Sequence, residues 1–144
     1  MKILTLSVFI LDQACKYWIN ENIKIGEKYK LFPKLNITNV KNKGMAFGAF
    51  SGKRKLLLTF SVLSLAALWR GHSRASGCEK TGISLMVGGG ISNIYDRAVK
   101  NEVTDYICFE SKHITPVFNL ADVFVLIGFL ITIISRMSKK NLLH

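Results

Sequence analysis

The 144 residues are enough for one domain and too few for several. Hydrophobic residues make up 49% of the chain and the mean hydropathy is +0.27, which argues against an ordinary soluble domain. A formal net charge of +11 points to nucleic acid, a membrane surface or an acidic partner; the hydropathy favours the membrane, and the lysines are not interleaved with aromatics in a nucleic-acid motif.

In chain order, the first apolar segment covers residues 3–11 and continues past Asp12 to residue 19. It resembles a signal sequence, but "DQACKYW" follows without a small-residue cleavage site, so it is expected to stay attached. Residues 20–54 are rich in β-branched and aromatic side chains. Within them "LNITNV" (35–40) reads as a strand, Phe32–Pro33 as a bend or strand start, and the glycines at 26, 44, 48 and 52 as turn or close-approach signals. The second apolar segment is 56–69, the third 81–95, and the fourth runs from His113 to Ser135 with Asp122 as its one carboxylate. A bilayer-spanning helix needs about 20 mostly apolar residues. The fourth segment reaches that unaided; the others need their polar ends. The expectation is an all-α membrane protein with four transmembrane helices, at about 3–19, 56–71, 81–96 and 117–136. A small extramembrane β element is expected between helices 1 and 2. The whole chain, 1–144, is read as one domain. A soluble bundle of buried helices is the alternative, and "LLLTFSVLSLAALW" argues against it because no polar stripe runs along it.

The charges conflict over orientation. Lysines crowd residues 24–55, which by the positive-inside rule belong in the cytoplasm. The cysteines (Cys15, Cys78, Cys108) are too widely spaced for a metal knuckle or redox pair and read as small apolar residues. His72, His113 and His144 lack zinc-ligand spacing, so no metal or cofactor is expected.

Chemistry is left to the carboxylates. Asp12, Asp96, Asp105 and Asp122 each lie near an end of an apolar run, and alternating spans bring all four to one face of the membrane. Two carboxylates in one partly dry site share a proton, and such a pair can activate a water and protonate a carbonyl without a metal. The same residues also suit a proton or cation relay. Helix capping by Asp122 or Asn119 and a plain Asp96–Arg97 ion pair are the structural readings. In "VGGGISNIYDR" (87–97) the glycines and Ser92 allow close helix approach, while Asn93 and Arg97 share a helical face. "NKGMAFGAF" (42–50) offers Asn42 as a polar hook between tight-turning glycines.

Taken together these stretches resemble lipoprotein signal peptidase, or signal peptidase II. "DQACK" is similar to the family's D-Q-x-x-K, "NKGMAFG" to N-x-G-x-A-F-G and "GGGISNIYDR" to G-G-A-x-G-N-x-x-D-R. "VTDYI" (103–107) is similar to V-x-D-F-I and "FNLAD" (118–122) to F-N-x-A-D. The five occur in the family's order along nearly the whole chain. Gly90, Ser92 and Tyr106 stand where the family usually has Ala, Gly and Phe.

The resemblance implies a metal-independent membrane aspartic endopeptidase in the bacterial plasma membrane, multi-pass, with its active site towards the outer face. Its substrates would be diacylglyceryl-modified prolipoproteins, cut just before the lipidated cysteine. By motif position Asp105 and Asp122 are the catalytic pair. Asn42, Gly44, Asn93, Arg97 and Asn119 fall on substrate-binding or site-shaping positions, and Asp12 on a supporting one. Membrane lipids and globomycin-type cyclic peptides are the other partners implied, and nucleic acid is not among them.

Overall fold

The computed structural model describes residues 2–44, 53–112 and 114–141. Among the described residues there are four helices: α1 (Lys2–Asn22), α2 (Arg54–Arg74), α3 (Gly77–Val99) and α4 (Leu120–Asn141). Four strands accompany them: β1 (Lys28–Phe32), β2 (Leu35–Asn42), β3 (Val103–Phe109) and β4 (Val117–Phe118). The strands form one antiparallel sheet in the order β1-β2-β3-β4. The expected strand at 35–40 is the core of β2, and Pro33 and Lys34 turn the chain between β1 and β2.

Half of this sheet lies outside the expected place. The β element was expected between the first two helices, yet β3 and β4 come from the segment between α3 and α4. β2 pairs with β3 from Leu35↔Phe109 to Asn42↔Val103, a partnership between residues 61 to 74 positions apart that no local pattern announces. The first three helices extend beyond the expected spans at both ends, whereas α4 begins at Leu120, later than the expected 117 because Val117 and Phe118 are taken by β4, and runs on past 136 to Asn141.

α3 is the spine, with the other three helices packed around it. Three consecutive glycines make this possible. A Cβ at Gly88 would sit 2.8 Å from the Thr5 carbonyl oxygen of α1. One at Gly89 would sit 2.5 Å from the Ala121 carbonyl oxygen of α4, and one at Gly90 2.8 Å from Leu65 of α2. Successive helical residues turn by about 100°, so each glycine receives a different neighbour. α1 runs parallel to α3, since Thr5 meets Ser84 and Lys16 meets Asp96. α4 runs antiparallel to α3, since Gly89 meets Ala121 and Glu79 meets Arg136.

The sheet is fastened to the end of α1. Ile19, Ile23 and Tyr106 form a buried apolar cluster with Ile37 and Leu120 against it. The Asn39 side-chain amide donates to the Ile23 carbonyl at 2.8 Å, and the Thr38 hydroxyl to the Glu27 carbonyl at 2.7 Å.

Apolar and polar residues are distributed inside out. Ile3, Leu6, Ile10, Phe60, Leu63, Leu126, Phe129 and Ile134 are exposed, whereas Asp12, Lys16, Asp96 and Asn119 are completely buried. An apolar surface of this extent suits lipid, not water. Among the described residues one helix, over Leu120–Lys139, is long and apolar enough to cross a membrane by length and composition. The cysteines are free; Cys108 is buried, Cys15 half-buried and Cys78 exposed.

Two glycine substitutions should separate close approach from helix propensity. Gly89→Ala forces α3 and α4 apart at the first turn of α4 and is expected to cost about 1–3 kcal/mol. Gly71→Ala meets only Ile83 at 3.9 Å and is expected to stabilise α2 by about 0.5–1 kcal/mol. Thermal unfolding in detergent micelles reads both.

Candidate active site

The site rests on a buried ammonium. Lys16 and Asp12 are one helical turn apart on α1, and the Lys16 Nζ lies 2.6 Å from Asp12 Oδ2 and 2.7 Å from Asp96 Oδ2 of α3, with all three side chains fully buried. Lys16 also donates to the Asn93 amide oxygen at 2.9 Å. Ser92 donates to Asp12 at 2.6 Å, and Gln13 donates to Ser92 at 2.8 Å and to Asp96 at 3.1 Å. Lys100 closes the cluster at 2.8 Å from the other Asp96 oxygen. Two carboxylates face two ammoniums, so the cluster is charge-balanced, as burial requires.

The same cluster fixes the start of α4. The first amides of a helix lack intrahelical partners. Here the Leu120 N–H donates to the Tyr106 hydroxyl at 3.2 Å, and the Ala121 N–H to Asp12 Oδ1 at 2.9 Å. The Asp122 N–H donates to the Asn119 side-chain oxygen at 3.0 Å, and the Asn119 N–H donates back to Asp122 Oδ2 at 3.2 Å. Asn119 and Asp122 thus form a capping box. Both residues that sequence patterning offers as caps take part, Asn119 as the cap itself. Burial, with Asp12 nearby, pushes the Tyr106 phenol up, so it remains a neutral hydroxyl.

Asp105 and Asp122 are bridged by amides. Asp105 projects from β3, outside the helices, and is buried. Its oxygens accept from Asn119 Nδ2 at 2.7 Å and Asn42 Nδ2 at 2.8 Å. Asp122 is exposed on the first turn of α4 and accepts from Asn93 Nδ2 at 2.8 Å. Asn119 also donates to the Asn93 amide oxygen at 3.2 Å. A continuous network therefore runs Asp105–Asn119–Asn93–Asp122, with Lys16 behind Asn93. Burial pushes the Asp105 carboxyl up to about 6, assisted by the charge of Asp122 and opposed by the two donated amides.

Arg97 closes one side. Its guanidinium donates to the Gly44 carbonyl at 3.0 Å and, more loosely, to the Asn93 carbonyl at 3.4 Å, within electrostatic reach of Asp105 and Asp122. Gly44 in turn donates its N–H to the Asn42 side-chain oxygen at 2.9 Å.

The eight residues singled out in the sequence, Asp12, Asn42, Gly44, Asn93, Arg97, Asp105, Asn119 and Asp122, thus fall in one connected cluster. Asp96, a candidate for a plain ion pair with Arg97, is instead bound by Lys16 and Lys100. Sequence reasoning missed Lys16, Gln13 and Tyr106 as parts of the site. The i, i+4 spacing of Asp12 and Lys16 was the available signal. Residues 45–50 of "NKGMAFGAF", Gly52 and His113 lie outside the described residues.

The chain matches the family described as signal peptidase (SPase) II over residues 4–138. It is 38% identical to the lipoprotein signal peptidase of Bartonella bacilliformis across 83% of this chain and 76% of that one. With the lipoprotein signal peptidase of Wigglesworthia glossinidia brevipalpis it shares 34% identity, covering 93% and 92%. With that of Lactococcus lactis subsp. lactis it shares 33%, covering 97% of each. Two solved structures, both described as bacterial membrane enzymes, superpose with TM-scores of 0.88 and 0.81. Their identities are 31% and 32%; the first alignment covers 96% of this chain and 87% of the other, the second 92% and 89%.

The buried cluster and the Asp105 carboxyl each yield an expected outcome. Lys16→Met strands the Asp12 carboxylate and should cost about 3–5 kcal/mol, whereas Lys100→Met at the rim should cost under about 1 kcal/mol; thermal unfolding compares them. For Asp105 the folded state holds its proton more tightly than the unfolded chain, whose carboxyl keeps the ordinary value of 3.8. Its contribution of about 3 kcal/mol is therefore present at low pH and lost as pH rises from about 4 to 6. A protonated-carboxyl infrared band should titrate near pH 6 and be missing in Asp105→Asn.

Proposed function

The chain belongs to the signal peptidase II family, and on that footing we propose that it is a membrane aspartic endopeptidase with Asp105 and Asp122 as its catalytic pair. Membership makes it a peptidase that processes prolipoprotein signal peptides. Its likeness to bacterial membrane enzymes makes it a membrane protein. The observation that carries the finer reading is the pair of carboxylates bridged by Asn119, whose side-chain amide donates to Asp105 and whose backbone N–H donates to Asp122, one carboxylate buried and one open.

One carboxylate takes a proton from a water, whose oxygen attacks the scissile carbonyl carbon. The other, protonated, gives its proton to the carbonyl oxygen. As the tetrahedral intermediate collapses, the first gives its proton to the leaving nitrogen, the C–N bond breaks, and the second takes back a proton from a hydroxyl on the former carbonyl carbon, leaving the free acid and restoring both aspartates. Burial raises the Asp105 carboxyl towards neutrality, which suits it to exchange a proton. Asn93, Asn119 and Asn42 hold the carboxylates apart and in register, and Arg97 and Gly44 form an edge for substrate backbone. The substrate is a diacylglyceryl-modified prolipoprotein cut before its lipidated cysteine, and its lipid sets the bond at the mouth of the helical bundle. Globomycin-type cyclic peptides would compete for the same edge.

All four helices would span a bacterial plasma membrane as one peptidase domain, with the carboxylates at the outer face. α4 supplies the clearest span. The lysines near the site run against the positive-inside rule, and we assign them to lipid headgroups. β1 supports this, since Tyr29, Leu31 and Phe32 are exposed on the same strand as Lys28 and Lys30.

A gel-shift cleavage assay in detergent with a diacylglyceryl-modified prolipoprotein tests the proposal. The parent chain should cleave equally with and without a chelator, and Asp105→Asn and Asp122→Asn should each lose at least about 10³-fold in rate, as expected when a two-group acid–base device loses a member. Cleavage by either variant near the parent rate refutes the assignment and turns attention to Asp96.

A further inference from the structure

A cavity of about 490 Å³ opens between α1 and α2, with α3 as its floor. It lies in the half of the bundle remote from Asp105 and Asp122. The helix directions place Lys2 of α1 and Trp69 and His72 of α2 at one end, and Phe9 and Ile91 at the other. Lys2 and Phe9 are seven residues apart, about 10 Å of helix. The lining is therefore graded. A basic and aromatic end passes into an apolar trough along Leu6, Phe9 and Ile91. Its volume lies within the range of sites that hold small molecules.

The end bearing Lys2 is also the basic end of the bundle. Arg70, Arg74 and Lys80 lie there. Among the described residues its one carboxylate, Glu79, is already held by Arg136 at 2.8 Å and Lys139 at 2.9 Å. Trp69 stacks on His72 with ring centroids 5.8 Å apart and planes 10° from parallel, so the aromatic lip is formed by two offset, near-parallel rings. Tryptophan at such a level is typical of the boundary between headgroups and hydrocarbon. An amphiphile with an anionic head and an apolar tail complements this gradient, and a neutral one leaves the basic end unmatched.

We propose that the groove between α1 and α2 is a binding site for one anionic phospholipid of the surrounding bilayer, its phosphate at Lys2 and His72 and the upper part of one acyl chain along Leu6, Phe9 and Ile91. The inference rests on the reading that the bundle spans a membrane, and it is independent of which aspartates cut. It gives the enzyme a lipid contact in the leaflet opposite the chemistry.

The chain has two tryptophans, Trp18 and Trp69, so Trp18→Phe leaves Trp69 as the sole reporter. This protein is placed in phosphatidylcholine nanodiscs containing a minor fraction of brominated phosphatidylglycerol or, at equal mole fraction, brominated phosphatidylcholine. The anionic lipid should be preferred about five-fold at Trp69, the worth of one lysine beside an anionic head. Lys2→Gln with His72→Gln should abolish the preference while prolipoprotein cleavage continues. Native mass spectrometry of the parent chain should retain phosphatidylglycerol through detergent exchange, which covers a failure of the double variant to fold. Equal quenching by the two lipids overturns the proposal, as does a preference that survives the double variant. Relief of quenching by a non-cleavable lipidated precursor peptide also overturns it, because the groove would then belong to the substrate. Loss of cleavage in the parent chain with the anionic preference intact sinks the peptidase reading and leaves the lipid site standing.

Discussion

Lys16 is the constraint on which the rest of the structure depends. An ammonium buried without compensation is prohibitive, so its position dictates where carboxylates must be. It draws Asp12 and Asp96 together and thereby sets the height of α1 against α3. Asp12 spends its second oxygen on the Ala121 amide, which sets the height of α4. Asn93 spends its amide oxygen on Lys16 and its amide nitrogen on Asp122. One charge thus fixes three helices and aims one carboxylate of the site. The cluster lies where hydrogen bonds to water are replaced entirely by protein groups, so each member's loss is felt by the others.

Much of this was legible in the residues. The apolar runs locate four helices, "LNITNV" locates β2, and the four aspartates converge as alternating helices require. The three glycines announce close approach, although only the structure reveals that each faces a different helix. The failures have physical causes. β3 pairs with β2 across 61 to 74 positions, and strand partnership at that distance is fixed by tertiary register, not by local pattern. Lys16 drew no site role from the residues because lysine is seldom buried; burial becomes acceptable only once Asp12, one turn away, is joined by Asp96 from the distant α3. Tyr106 passed as a small change from phenylalanine, and its hydroxyl gained meaning when Leu120 proved to be the first residue of a helix with an amide in need of a partner. The residues alone left four aspartates open for chemistry; the family resemblance separated Asp105 and Asp122 from the other two. The hydrogen bonds agree with that division, since Asp12 and Asp96 are neutralised by lysines while Asp105 and Asp122 are held by amides.

That division has an electrostatic logic. A carboxylate paired with an ammonium is fixed in its charged form and is a poor proton carrier. Amide donors orient a carboxylate without pinning its protonation state, and burial then raises Asp105 towards neutrality. The two kinds of aspartate lie within a few residues of each other in the network, so the partner, lysine or asparagine, and not distance, sets the proposed proton-exchanging pair apart from the lysine-bound one.

The capping box at Asn119 and Asp122 ties two events together in time. The side chain that completes the first turn of the last helix is also a member of the amide-bridged pair, and its companions come from β2, α3 and β3. A nascent chain whose final helix has not yet docked possesses none of this arrangement, whatever the state of its earlier segments. With Asp105 and Asp122 as the proposed pair, the site is complete only at the last stage of assembly, when α4 docks.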